Sequence, residues 1–266
     1  MIGSLDDQEK ARLQVLPDIQ RAREFRLYGR DGSRWLDCWL DDGRALLGHR
    51  PDGLSLRLKN EIARGLYAPY PGVWEGRLGR ALRRFRPGFS DWRIYESPRI
   101  AVEKLGISNG PADPLDDTDT PALEVLWGRP FLDTGPETRC LFPHLPLPGL
   151  TRAQVVLFRD SDMSAPPSDA ISPVILSALA RIVDEVIKAE KTAQNNADLW
   201  KLPFSADIWD RRGPYITFRG DENAYDALFD GFASRNVLIA PSRRRPTVIP
   251  PILSPYEWDQ LTKGAG

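Results

Sequence analysis

The chain has 266 residues, of which 41% are hydrophobic and 27% are charged, so it can bury the core of one large domain or two small ones. Its 36 basic and 37 acidic side chains give a formal net charge of −1, which argues against a dedicated nucleic-acid-binding protein. Two cysteines cannot form a disulfide framework and favour a reducing, cytoplasmic location, while two histidines leave little for a zinc or iron site. We therefore expect no metal. No apolar run approaches the roughly 18 residues that a membrane span needs, so we also expect no membrane partner.

The amino-terminal third predicts a hairpin followed by two helices. Residues 1–24 are polar and indicate a helical leader. Two apolar segments, 25–28 and 35–38, predict strands, because the Asp31-Gly32 pair between them is a strong tight-turn signal. Apolar residues then recur at helical spacing and predict two helices, at 54–66 and 74–85.

The middle of the chain predicts short strands and one long helix. The strands are expected at 92–95, 122–127, 139–142 and Gln154–Phe158. The connector 109–120 is expected to be a mobile loop, and its Asp-rich part, 113–119, to be solvated rather than a cation site. Ser172 and Pro173 begin a helix whose apolar stripe continues to about Gln194.

The carboxyl-terminal segment predicts an α+β unit. Tyr215–Phe218 indicates a strand, and a helix with one aromatic face follows it. Segments 237–239 and 247–249 predict strands on either side of a turn that holds Arg243, Arg244 and Arg245. Ser254 and Glu257 form a capping box that begins the final short helix.

Four short motifs at the two ends of the chain together resemble those of the class III aminotransferases, which depend on pyridoxal phosphate (PLP). The amino-terminal motifs are 28–37, YGRDGSRWLD, and 48–51, GHRP; the carboxyl-terminal motifs are 213–218, GPYITF, and 250–255, PPILSP. The resemblance implies an α/β fold in which both chain ends build a PLP-transferase-like small domain of α+β type. It also implies a large cofactor-carrying α/β domain between them.

The segment between the two ends is short for that large domain. We expect three segments: 1–85 as the first part of the small domain, 86–195 as a truncated large-domain remnant with a reduced mixed sheet, and 196–266 as the rest of the small domain. The family is dimeric, so the resemblance implies a homodimer.

Two requirements of PLP chemistry are not met by this sequence. A lysine must hold the cofactor aldehyde, and the family places it in a loop late in the large domain, yet no lysine lies between Lys104 and Lys188. The phosphate needs free backbone N–H groups, but here Glu96 would repel it and Pro98 removes a donor, which Arg99 offsets only in part. We therefore predict no catalytic and no cofactor-binding residue.

Two groups of residues remain as candidate ligand-binding positions. Arg243, Arg244 and Arg245 lie where the family's small domain approaches a substrate carboxylate, and they form either an anion clamp or a solvated basic turn. Tyr70 and Trp74 belong to an aromatic, proline-stiffened segment that suits a subunit contact or a ligand wall, or simple packing.

The sequence leaves three hypotheses open. The first is an aminotransferase-like pseudoenzyme without a cofactor, which binds a small anionic metabolite or a protein partner. The second is a PLP-dependent class III aminotransferase with a relocated lysine or a site completed by a partner subunit. The third is a different enzyme on the remodelled scaffold, in which Arg243, Arg244 and Arg245 orient an acidic substrate.

Overall fold

A computed structural model of the chain describes residues 5–116, 124–147, 149–160, 165–195 and 207–264. Two compact units divide the chain. The central unit is Pro51–Thr192, and the terminal unit combines Ile2–Arg50 with Ala193–Gly266. Each unit has its own sheets and helices, which confirms the α/β class. The three-segment division at residues 85 and 195 stays a prediction.

Within the described residues, seven helices and eleven strands are numbered in chain order. The helices are α1 (Asp7–Leu13), α2 (Leu54–Ala63), α3 (Val73–Phe85), α4 (Pro98–Lys104), α5 (Pro173–Gln194), α6 (Glu222–Ala233) and α7 (Pro255–Gly264). The strands are β1 (Ile19–Arg23), β2 (Arg26–Gly29), β3 (Arg34–Asp37), β4 (Asp91–Tyr95), β5 (Val125–Gly128), β6 (Cys140–Pro143), β7 (Gln154–Phe158), β8 (Trp209–Arg212), β9 (Tyr215–Phe218), β10 (Val237–Leu238) and β11 (Thr247–Val248).

A four-stranded mixed sheet forms the centre of the central unit, in the order β4-β7-β6-β5. Strand β7 is antiparallel to both of its neighbours, whereas β5 and β6 are parallel. Every residue of β6 and β7 is buried, as expected for strands that are covered on both faces. Helix α3 lies close to β4, because a Cβ added at Gly79 would come within 2.8 Å of the Trp92 indole nitrogen.

Both ends of the chain share one sheet in the terminal unit. Strands β1, β2 and β3 form an antiparallel meander, and β10 adds beside β3 in parallel, with Val237 opposite Leu36. A second sheet has the order β11-β9-β8. This pairing agrees with the expectation that sequence from both chain ends builds one α+β domain.

A left-handed turn follows β3. Leu40, Asp41, Asp42 and Gly43 all have positive φ, between 51° and 81°. Residues other than glycine are strained in this region, so the surroundings must hold the turn in place. The Asp37 carboxylate does so by accepting hydrogen bonds from the backbone N–H groups of Trp39 (3.0 Å) and Leu40 (2.8 Å).

Two expectations from the sequence need correction, and one strand lies where no pattern predicted it. The leader at 1–24 is helical only in α1, because Ile19–Arg23 pairs with the hairpin as an exposed edge strand. No sequence pattern predicts strand β8, since its four residues carry no clear alternation. Asp113 does not lie in a solvated loop: it is buried and ion-paired with Arg129. The rest of the Asp-rich segment beyond residue 116, and residues 122–123 of the expected strand, lie outside the described residues.

Both cysteines lie in the cores of their units. Cys38 is fully buried in the terminal unit, and Cys140 is buried in strand β6. Burial raises the pKa of the Cys140 thiol to about 12 and also raises the pKa of the Cys38 thiol. Both thiols are therefore protonated at neutral pH and are poor nucleophiles.

Candidate functional site

The turn between β4 and α4 is where the sequence places the family's phosphate site. Ser97 caps the helix by accepting a hydrogen bond from the Ile100 N–H (3.2 Å), and Pro98 occupies the first helical position without a donor. The backbone N–H of Glu96 donates to the Asp169 carboxylate, at 2.9 Å. An anionic side chain of this chain therefore already uses a backbone donor of the turn.

Asp169 is held at this turn as an anion. Its carboxylate is ion-paired with the Lys104 ammonium, which lies 5.7 Å from the centroid of the Tyr95 ring. Burial acts to raise the pKa of Asp169, but the hydrogen bonds from Lys104 and the Glu96 N–H outweigh it and keep this pKa below its ordinary value. No sequence pattern pointed to Asp169, because it lies 65 residues from Lys104.

The described lysines are exposed or paired with carboxylates. Lys188, on α5, has 71% of its side chain exposed and lies 3.6 Å from Glu185. Lys59 and Lys191 are also exposed, and Lys201 lies outside the described residues. The remaining lysines form ion pairs with acidic side chains: Lys10 with Asp7, Lys104 with Asp169 and Lys263 with Asp259. None of these described lysines is a buried amine, the environment that lowers a lysine pKa toward reactivity.

The arginine turn of the terminal unit is tied to acidic side chains. Arg245 binds Glu9 through two hydrogen bonds, of 2.6 and 3.0 Å, and Glu9 is itself buried. The Arg243 guanidinium lies 3.2 Å from Glu222 on α6. Arg244 is exposed. Two of the three arginines are therefore parts of internal ion pairs, and a ligand-binding role for the cluster stays a prediction.

The structure separates the two predicted aromatic residues. Trp74 is buried, and its indole N–H donates to the Glu61 carboxylate at 3.0 Å. Two guanidinium groups, of Arg57 and Arg77, lie 5.0 and 4.6 Å from the Trp74 ring centroid. Tyr70 is instead 67% exposed. Trp74 is thus packed within the central unit, whereas Tyr70 is exposed to solvent.

Tyr70 belongs to a larger exposed apolar surface. This 56–73 surface, from α2 to the start of α3, is defined by Leu56, Ile62, Leu66, Tyr67, Tyr70 and Val73, all of which are exposed. Covering these six exposed apolar side chains would remove apolar area from water.

His49 is paired with a carboxylate in the terminal unit. Its Nε2 lies 2.9 Å from the Asp37 carboxylate, and its backbone N–H donates to the Glu24 carbonyl at 2.7 Å. These two contacts connect His49 to the end of β3 and to the residue that precedes β2 by two positions. Across the residues that the structure describes, no group of three acidic, histidine or cysteine side chains could hold a metal ion. None of the described helices is both long and apolar enough to cross a membrane.

Two bacterial proteins are similar to most of the chain. One, from Borreliella burgdorferi, is 25% identical over an alignment of 257 positions, which covers 93% of this chain and 90% of that protein. The other, from Treponema pallidum, is 24% identical over an alignment of 282 positions, which covers 87% of this chain and 88% of the Treponema protein. Both are described as uncharacterized proteins, and no family model matches the chain.

Solved aminotransferase structures match the chain over most of its length. A β-phenylalanine aminotransferase from Variovorax paradoxus superposes with a TM-score of 0.69 and 13% identity, covering 97% of this chain and 91% of the other. The chain has an aminotransferase-like fold. An ornithine aminotransferase from Toxoplasma gondii, whose structure has PLP at partial occupancy, gives a TM-score of 0.65 at 11% identity. The match covers 94% of this aminotransferase-like chain and 89% of the Toxoplasma chain. An acetylornithine aminotransferase from Elizabethkingia anophelis gives 0.63 at 13% identity, with 93% of each chain covered.

Proposed function

We propose that this aminotransferase-like chain is a pseudoenzyme that has lost PLP-dependent transamination and acts by binding a partner. The observation that carries the proposal is the ion pair of Asp169 and Lys104 at the β4–α4 turn. PLP needs free N–H donors and positive charge for its phosphate. Here the Asp169 carboxylate accepts hydrogen bonds from the Glu96 N–H and from the Lys104 ammonium. A phosphate at this turn would therefore meet the negative charge of Asp169. The residues at this turn do not fit PLP.

The positions of the lysines support the same proposal. A Schiff base requires an amine that loses its proton readily, which burial promotes and a paired carboxylate opposes. Lys104 is held by Asp169, while Lys188 and Lys191 lie on the exposed side of α5. The connection between β6 and β7, residues 144–153, contains no lysine.

The alternative is a working PLP-dependent class III aminotransferase with a relocated lysine or with a site completed by a partner subunit. It is favoured by the likeness of the fold to PLP enzymes. It requires either Lys201, which lies outside the described residues, or a group from another subunit to complete the site.

A PLP titration separates the two functions. We expect no absorbance band that persists after dialysis and, after borohydride reduction, no single lysine that carries more label than the exposed Lys188. The measurement is absorbance followed by peptide mapping of the reduced protein, with Lys188→Arg as the control for non-specific labelling. Stoichiometric label on one lysine, lost when that lysine is replaced by arginine, would establish the alternative.

We also propose that a second copy of this chain is one partner and that it covers the 56–73 surface. The proposal combines the dimeric state of the resembled family with the six exposed apolar side chains of this surface. Burial of such side chains against a second copy would remove them from water and stabilise the dimer.

The dimer can be tested by sedimentation velocity. We expect the native chain to be a dimer and the Ile62→Asp, Tyr70→Asp double variant to be a monomer, because each change would bury a charge in the interface. Ile252→Asp is the matched control, since Ile252 is an equally exposed apolar residue of the terminal unit and should leave the dimer intact. A monomeric native chain, or a dimeric double variant, would contradict the proposal.

A further inference from the structure

One face of the terminal unit's antiparallel meander is rich in arginine. Arg21 lies opposite Tyr28, and Tyr28 lies opposite Arg34 on the next strand. Arg23 lies opposite Arg26 in the same way. Because directly paired residues of neighbouring strands point to the same face, these five side chains form one surface. We call it the arginine face, defined by Arg21, Arg23, Arg26, Tyr28 and Arg34.

The Arg26 side chain is held in place on this face, and its charge is neutralised by acidic side chains. Its guanidinium donates two hydrogen bonds of 2.7 Å to Glu257 at the start of α7, and a third of 2.8 Å to Glu24. Glu257 also accepts a bond from the Ser254 N–H at 2.8 Å. The Glu257 carboxylate therefore has its hydrogen-bonding capacity largely taken up within the protein.

The two flanking arginines retain their charge for another partner. Among the residues that the structure describes, Arg23 makes no ion pair. Arg34 is half exposed, and its guanidinium lies 3.5 Å from the Glu257 carboxylate, which Arg26 already binds. Four arginines thus face two glutamates, Glu24 and Glu257, and the local charge is positive although the whole chain is slightly acidic.

A cavity opens between these arginines and the start of α7. Its volume is about 330 Å³, and its lining includes Arg23, Arg26, Arg34 and Tyr28 together with the carboxylates of Glu24 and Glu257. Tyr28 also lines a second cavity, of about 440 Å³, which reaches Arg21. The Arg21 guanidinium lies 4.2 Å from the centroid of the Tyr28 ring. Both volumes are in the range of small-molecule sites, roughly 300–1,000 Å³.

We propose that the arginine face binds a small molecule that carries a phosphate or pyrophosphate group. The planar guanidinium forks of Arg23 and Arg34 match phosphate oxygens, and the excess of arginines over glutamates on the face, four against two, favours a negatively charged group. Arg26 and Tyr28 form the floor between them. This site deepens the proposed binding role and rests on it, but it uses different residues from the Arg243–Arg244–Arg245 turn.

The test is calorimetric titration of the full chain with inorganic pyrophosphate. We expect saturable binding that weakens with salt, and a loss of about tenfold in affinity for each guanidinium removed in Arg23→Gln and Arg34→Gln. The lysine variants, Arg23→Lys and Arg34→Lys, should lie between, because they keep the charge but lose the fork. Both residues are exposed or half exposed, and thermal unfolding of each variant checks that it is folded.

Arg30→Gln is the matched control. Arg30 is an exposed arginine of the same hairpin that lines neither cavity, so its replacement removes the same charge and should leave the affinity unchanged. No binding by the native chain, full affinity in the Arg23→Gln and Arg34→Gln variants, or an equal loss in Arg30→Gln would each overturn the proposal. Pyrophosphate has no aldehyde and cannot form a Schiff base with a lysine. The result of this titration is therefore independent of the result of the PLP titration.

Discussion

Asp113→Asn is expected to lower the free energy of unfolding by about 3 kcal/mol. The Asp113 carboxylate and the Arg129 guanidinium are both buried, and three hydrogen bonds of 2.6–3.0 Å join them. A neutral amide would remove the negative charge that these three hydrogen bonds hold against the buried guanidinium, and a charge interaction lost in a desolvated site makes the effect large. Urea unfolding followed by circular dichroism measures the change.

Asp160→Asn is the matched control for this prediction. Asp160 makes an exposed ion pair with Arg139, at 3.5 Å and with about half of each side chain open to solvent. Exposed pairs contribute at most about 1 kcal/mol, so this variant should unfold close to the native chain. Equal losses in the two variants would show that the burial of the Asp113–Arg129 pair carries no special stabilisation.

Glu257→Gln is expected to destabilise the terminal unit by about 3 kcal/mol at pH 7 and to change its acid sensitivity. Burial acts to raise the pKa of Glu257, but hydrogen bonds from Arg26 and Ser254 hold it at about 2, below the ordinary 4.5. Because the pKa of Glu257 is lower in the native state, its ionised carboxylate stabilises that state at pH values above about 4.5. That contribution is lost as the pH falls from about 4.5 toward 2.

Unfolding free energies measured between pH 2 and 7 check the Glu257 prediction. The native chain should lose about 3 kcal/mol more than Glu257→Gln over the acid part of this range, because only the native chain has the titrating carboxylate. Asp259→Asn is the control: its exposed pair with Lys263 on the same helix should contribute little. Parallel pH curves for Glu257→Gln and the native chain would contradict the assignment.

Local sequence patterns predicted most of the regular elements. The apolar stripe of α5 runs from Pro173 to Gln194 as expected, because a strong 3.6-residue period over 22 residues has few alternatives. The Asp31-Gly32 turn likewise located β2 and β3. Strand β1 escaped prediction, since its exposed edge residues gain their β-structure from pairing with β2 and not from their own alternation.

The candidate sites were less predictable, because their character depends on partners that are distant in the sequence. The Arg243–Arg244–Arg245 turn was evident as a basic cluster, but Arg245 binds Glu9, which lies 236 residues away. Asp169 carries no local signal, although its contacts with Lys104 and Glu96 decide the charge of the β4–α4 turn. The residue types indicated which segments carry charge. Only the tertiary structure shows which of these charges are paired with an opposite charge.

The parallel pairing of β3 with β10 has a consequence for biosynthesis. Leu36 and its partner Val237 are about 200 residues apart, so the ribosome must make most of the chain before this sheet can close. At roughly 5–20 residues per second, the nascent hairpin waits about 10–40 s with the edge of β3 open. During that interval an unpaired strand edge is exposed to other nascent chains, and chaperones that shield it would raise the yield of native protein.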